Sequence, residues 1–188
     1  MKPKLLTLIF LLSAWSNGAG QQRATRPAKP PDTGPVAVAR SSTLQVLVAS
    51  DAVSVFSYLS DQRKLTAWMA DQAILEPQMG AKFHFRWKNQ EPVDGVVTEF
   101  AAANTLALTW KHPSDTADTR LRFKVSPQGG NTMVVLELQG YTSPDSLEKD
   151  LSFWVFNLKN LKSVIEEQID LRQAPKAPAR APIRRRTG

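Results

Sequence analysis

Ser143-Pro-Asp-Ser-Leu-Glu-Lys-Asp-Leu-Ser-Phe-Trp-Val-Phe-Asn-Leu-Lys-Asn-Leu-Lys-Ser-Val-Ile165 is the longest periodic stretch of the 188-residue chain. Leu147, Leu151, Trp154, Leu158, Leu161 and Ile165 recur at alternating spacings of four and three, which stacks them on one face of an α-helix. Phe153, Phe156 and Val164 widen that face. The pattern predicts a helix from Pro144 or Ser146 to about Leu171. A helix this apolar must lie on a second apolar surface, and the sequence before it supplies one.

That surface is a series of short runs with a period of two, expected at about 73–76, 81–88, 93–100, 106–111, 120–125 and 132–139. Phe83, Phe85 and Trp87 alternate with His84, Arg86 and Lys88, while Leu121, Phe123 and Val125 alternate with Arg120, Arg122 and Lys124. Each strand therefore has an apolar and a wet side, as in an antiparallel sheet covered on one face. The connections are short and carry turn residues: Pro77–Gly80, Asn89–Pro92, Ala101–Asn104, Pro113–Asp115 and Pro127–Asn131. Upstream, Leu44, Val46 and Val48 predict one more strand. Ser50 or Asp51 then opens a short helix to about Asp61, and a second runs from Gln62 to Ala70. The fold class is α+β: a curved antiparallel sheet of about six or seven strands wrapped on a long C-terminal helix.

Outside this region the composition changes. Residues 1–20 combine Lys2 and Lys4, an apolar run from Leu5 to Trp15 and a small-residue exit at Gly18-Ala-Gly20, the pattern of a secretory signal peptide. Eleven apolar residues are too few to span a bilayer as a helix. The expectation is an exported protein, periplasmic or secreted. Residues 21–39 read as a disordered Pro-rich linker, 40–172 as the domain, and 173–188 as a disordered basic tail rich in Pro and Arg.

Charge follows the same division. The whole chain carries +7, yet residues 41–171 hold 12 basic and 16 acidic side chains, so the excess positive charge belongs to the ends. No specific nucleic-acid binding is expected of the domain; any anionic surface would be met by the tail. With no Cys, the chain has no disulfide, thiol nucleophile or Cys-ligated metal, and two His argue against a histidine metal site.

Several segments, taken in order, are similar to a known family. Val55-Phe-Ser-Tyr-Leu-Ser-Asp-Gln-Arg-Lys-Leu-Thr-Ala-Trp68 looks like its helix, loop and Trp segment. Gly80-Ala-Lys-Phe83-His-Phe85 matches a Gly-x-x-Phe-x-Phe pattern. Gly95-Val-Val, Leu106-Ala-Leu-Thr-Trp110, Asn131-Thr-Met-Val-Val-Leu-Glu-Leu138 and Gly140-Tyr141 resemble the later strands and the closing turn. Over about residues 41–171 the chain resembles the START-like (SRPBCC, helix-grip) superfamily, in the branch named after the activator of the Hsp90 ATPase. The family includes ligand-binding proteins, cyclase-like enzymes and chaperone regulators, so the resemblance implies a fold more than an activity. An export signal separates this chain from a cytosolic chaperone.

The resemblance implies an apolar cavity between sheet and helix. Its candidate lining is Trp68, Phe83, Phe85, Trp87, Val97, Leu108, Trp110, Phe123, Leu136, Trp154, Leu158 and Leu161. The same side chains also suit a filled core. Acid–base chemistry would need a carboxylate or imidazole facing that space, and Glu76, His84, Glu99 and Glu137 are the strand residues to place; His112 falls in a turn. No P-loop, dinucleotide fingerprint, Gly-x-Ser-x-Gly elbow or His-Glu-x-x-His helix is present, so no cofactor and no catalytic residue is assigned. The leading expectation is an exported module that binds a hydrophobic small molecule or lipid. The alternatives are a protein-interaction or stress-related module with a filled core, and a cyclase-like enzyme.

Overall fold

Short polar side chains set the helix starts. In the computed structural model, which describes residues 39–110 and 118–173, strand β1 (Arg40–Val48) leads to Asp51, whose carboxylate accepts from the Ser54 N–H at 2.9 Å and caps α1 (Ala52–Ser60). Asp61 ends that helix and caps α2 (Gln62–Trp68) by accepting from the N–H groups of Arg63 and Lys64. Ser143, followed by Pro144 in the first turn, opens α3 (Pro144–Glu167).

Between α2 and α3 run β2 (Gln72–Leu75), β3 (Lys82–Trp87), β4 (Gln90–Ala101), β5 (Thr105–Trp110), β6 (Thr119–Gln128) and β7 (Asn131–Tyr141). With β1 they form one antiparallel sheet of seven strands in the order β1-β7-β6-β5-β4-β3-β2. The first strand thus returns beside the last, and α1 and α2 carry the chain from one edge of the sheet to the other. The inner face, together with α1, α2 and α3, encloses one hydrophobic core that holds Trp68, Phe85, Leu121, Leu136 and Trp154. This is the expected α+β helix-grip fold.

Three boundaries differ from the sequence reading. The expected turn at Asn89–Pro92 is a tighter one at Lys88–Asn89, and β4 runs through Pro92. A bulge between Phe85 and Trp87 accommodates the proline, which is exposed near the strand end and so leaves no central ladder bond unmade. The Pro127–Asn131 turn likewise narrows to Gly129–Gly130, both with positive φ (56° and 84°), the geometry of a two-residue hairpin. Helix α3 stops at Glu167 rather than Leu171, because Gln168 adopts φ 60° and its N–H bonds back to the Ser163 carbonyl. The segments 1–38 and 174–188, with the signal peptide, nearly all of the linker and the tail, lie outside the described residues, as do His112 and the Pro113–Asp115 turn.

The chain beyond α3 folds back and is locked. Asn160, fully buried, donates to the Trp68 carbonyl (2.7 Å) and to Asp170 Oδ1 (2.9 Å), and accepts from the Leu171 N–H (2.7 Å). Arg172 donates to the carbonyls of Thr66 (2.7 Å) and Ala70 (3.1 Å) at the end of α2 and pairs with Asp170 (2.8 Å). On the other side of α3, Lys162 Nζ donates to the Leu47 carbonyl (2.7 Å) and Glu166 Oε1 accepts from the Ala49 N–H (2.6 Å), so both reach the open side of β1.

Candidate functional site

The inward face of α3 follows the predicted line at Trp154, Leu158 and Leu161 but departs from its leucines at the N-terminal end. Its buried residues begin with Ser146, Asp150, Trp154, Asn157 and Leu158, whereas Leu147 and Leu151 are only half-buried. The helix is turned so that a line of polar side chains enters the grip at its N-terminal end. A partly open cavity of about 290 Å³ lies there. Trp87 and the first residues of β4, from Gln90 to Val93, form one wall; Trp110 at the end of β5 forms the second; Lys149, Asp150 and Phe153 of α3 form the third.

The aromatic part of the wall is fixed. The indole N–H of Trp87 donates to the Met69 carbonyl at 2.7 Å. The Trp87 ring meets Phe153 edge-on, with centroids 5.6 Å apart, and Trp110 lies 6.2 Å from Phe153 and 5.2 Å from Trp154. Among these rings stands one buried carboxylate: Asp150 is 7% exposed and accepts from the Tyr141 hydroxyl at 2.6 Å. Behind the wall, the indole N–H of Trp154 is fully buried and finds no hydrogen-bond partner among the described residues, as is the case for the Thr119 hydroxyl. Such groups are costly to bury unpaired.

All twelve residues expected to line a cavity are buried in one cluster. Trp87 and Trp110 stand on the wall of this cavity. Trp68, Phe83, Phe85, Val97, Leu108, Phe123, Leu136, Trp154, Leu158 and Leu161 do not, and pack against one another and the helices. Asp150 and Phe153 complete the wall from α3. Their signal in the sequence was the spacing Ser146, Asp150, Trp154, Asn157: polar residues in register with a tryptophan on a helix that has apolar residues to spare.

None of the carboxylates considered for acid–base chemistry enters the cavity. Glu76 is exposed. Glu99 and Glu137 lie on the outer face of the sheet, where Glu99 pairs with Arg122 (2.8 Å) and Arg120 (3.0 Å) and Glu137 with Lys124 (2.6 Å). The hydrogen bond from Arg122 holds the Glu99 carboxyl below its ordinary pKa, the opposite of what a general acid needs. His84 also faces outward, 2.8 Å from Asp94. Among the described residues no group of three His, Cys, Asp or Glu side chains is placed to hold a metal ion, and no helix is long and apolar enough to cross a membrane.

No curated protein matches the chain in sequence. Solved structures share its fold. The protein MLL2253 from Mesorhizobium loti superposes with a TM-score of 0.63 at 16% identity, covering 70% of this chain and 100% of that one. CalU16 from Micromonospora echinospora gives 0.60 at 19% identity over 69% and 78% of the two chains. The Aha1 dimer from Colwellia psychrerythraea, solved in solution, gives 0.60 at 17% identity over 68% and 97%. At such identities these likenesses show the fold alone. The family model described as activator of Hsp90 ATPase homolog 1-like protein matches residues 50–166, from the cap of α1 almost to the end of α3. The seven-stranded grip and this match over more than half its length agree, and the chain belongs to the activator of Hsp90 ATPase homolog 1-like family.

Proposed function

We propose that the chain is an exported module that binds a hydrophobic small molecule or lipid portion at the N-terminal end of α3. The observation that carries this reading is a cavity of about 290 Å³ walled by Trp87, Trp110 and Phe153, with the Asp150–Tyr141 pair as its fixed polar point. Apolar walls with few placed polar groups are the usual make-up of a small-molecule site. The volume is at the small end of that class, which favours a compact ligand or the end of a longer one. Export rests on the signal pattern of residues 1–20, and the basic residues of the 173–188 tail favour contact with an anionic surface.

Native mass spectrometry of the full chain, isolated from the envelope fraction of its own source, tests the reading. A bound mass that is lost on denaturation is expected. A bare mass across independent preparations would move the assignment to the second reading, a protein-interaction module. That reading is favoured by the ten expected cavity residues that fill the core instead of lining the cavity.

A further inference from the structure

We infer that the ligand of the cavity carries a neutral acceptor oxygen, the carbonyl of a ketone, aldehyde or ester, which takes the indole N–H of Trp154 and the hydroxyl of Thr119 at its buried end. This rests on the binding reading above and names the chemistry of the ligand within it. Trp154 and Thr119 are 0% and 1% exposed, and neither polar group finds a hydrogen-bond partner among the described residues. The surroundings explain why. Between centroids, the Trp154 ring lies 5.2 Å from Trp110, 5.5 Å from Phe123 and 5.2 Å from Phe153. None of these side chains has an oxygen with which to accept. Thr119 shares the buried face of β6 with Leu121, Phe123 and Val125, where valine would fill the same space and leave nothing unpaired.

Both groups border the cavity wall from behind. Thr119 is the cross-strand partner of Trp110, and Trp154 packs on Trp110 and Phe153, two of the wall rings. Phe153 is half-buried, the least enclosed of those rings, and its displacement joins the cavity to Trp154. The apolar body of the ligand then stays among the wall rings while its oxygen faces inward. An indole only donates and a hydroxyl donates as well, so the end that satisfies both is an acceptor with two lone pairs. A carboxylate would bring a full charge among aromatic rings, at a desolvation cost that a neutral carbonyl avoids.

The experiment compares acetophenone with 2-phenylpropene, which has the same shape and replaces the carbonyl oxygen by a methylene group. The hydrocarbon leaves water more readily, so an apolar cavity alone binds it tighter. Titrated by NMR against the isotope-labelled full chain, the ketone is expected to bind at least as tightly and to move the Trp154 indole N–H proton downfield, as a new hydrogen bond does. Trp154→Phe removes that signal and so assigns it, and should cut the ketone-to-hydrocarbon affinity ratio about tenfold. Thr119→Val, which keeps the shape, carries the same comparison if Trp154→Phe does not fold. It should also leave the free chain at least as stable as the parent, because it removes an unpaired hydroxyl. Tighter binding of the hydrocarbon, an indole signal unmoved at saturating ketone, a ratio unchanged by the substitutions, or a Thr119→Val variant less stable than the parent would overturn the inference while leaving the cavity as a binding site. If neither compound binds up to about 1 mM, the binding reading fails and this inference with it.

Discussion

Gly95 shows how closely the grip is packed. A Cβ built there would lie 2.4 Å from the Thr109 hydroxyl and 2.6 Å from the Phe83 ring, and neither can move without disturbing the β3–β4–β5 ladder. Gly95→Ala is expected to cost about 2–3 kcal/mol, seen as a lower midpoint in urea unfolding with an unchanged slope. Tyr141→Phe removes the hydroxyl that Asp150 holds at 2.6 Å and should cost about 1.5 kcal/mol, with a measurable loss of affinity for the cavity's ligand. Asp150 itself went unrecognised in the sequence for a physical reason. Charged residues in an amphipathic helix are first placed toward water, and only the observed rotation of α3 turns this one inward. The strand glutamates were easier to place, because a period of two puts each on a defined face of the sheet.

Elements were more legible than side chains. Every strand and helix was expected from period and turn residues, since these report local geometry directly. Their ends were less clear, because a bulge at Pro92 or a left-handed Gln168 depends on neighbours that the local pattern does not contain. The segment after α3 illustrates this. It continued the apolar rhythm through Ile169 and Leu171, but the structure spends it on a lock built from Asn160, Asp170 and Arg172. Burial alone would raise the Asp170 pKa, yet hydrogen bonds from Arg172 and Asn160 outweigh it and bring the value from 3.8 to about 2. A carboxyl whose pKa is lower in the folded than in the unfolded chain stabilises the fold above its unfolded pKa. That contribution is lost as the pH falls from about 4 through about 2. Asp170→Asn should therefore be less stable than the parent at pH 7, with the gap closing near pH 2 when both are unfolded by urea.

At the scale of the molecule, the acidic domain and the basic ends predict separable properties. Arg172, the last residue of the domain before the basic tail, is engaged with Thr66, Ala70 and Asp170, so a clean truncation must follow Gln173. The full chain should bind vesicles containing phosphatidylglycerol and release them as salt rises. The chain cut after Gln173 should bind them several-fold less, with its thermal midpoint unchanged; equal binding by both forms would exclude the tail as the anchor. A last consequence follows from Lys162 and Glu166, which reach over to Leu47 and Ala49. A strand at the margin of a sheet offers bare peptide groups to any other extended chain, and the ammonium and the carboxylate occupy part of that row with contacts no second molecule can use. They act as a stopper against polymerisation. With both replaced by alanine, the protein should seed amyloid-like fibrils on storage, with a shorter thioflavin T lag than the parent, even where its melting temperature has barely changed.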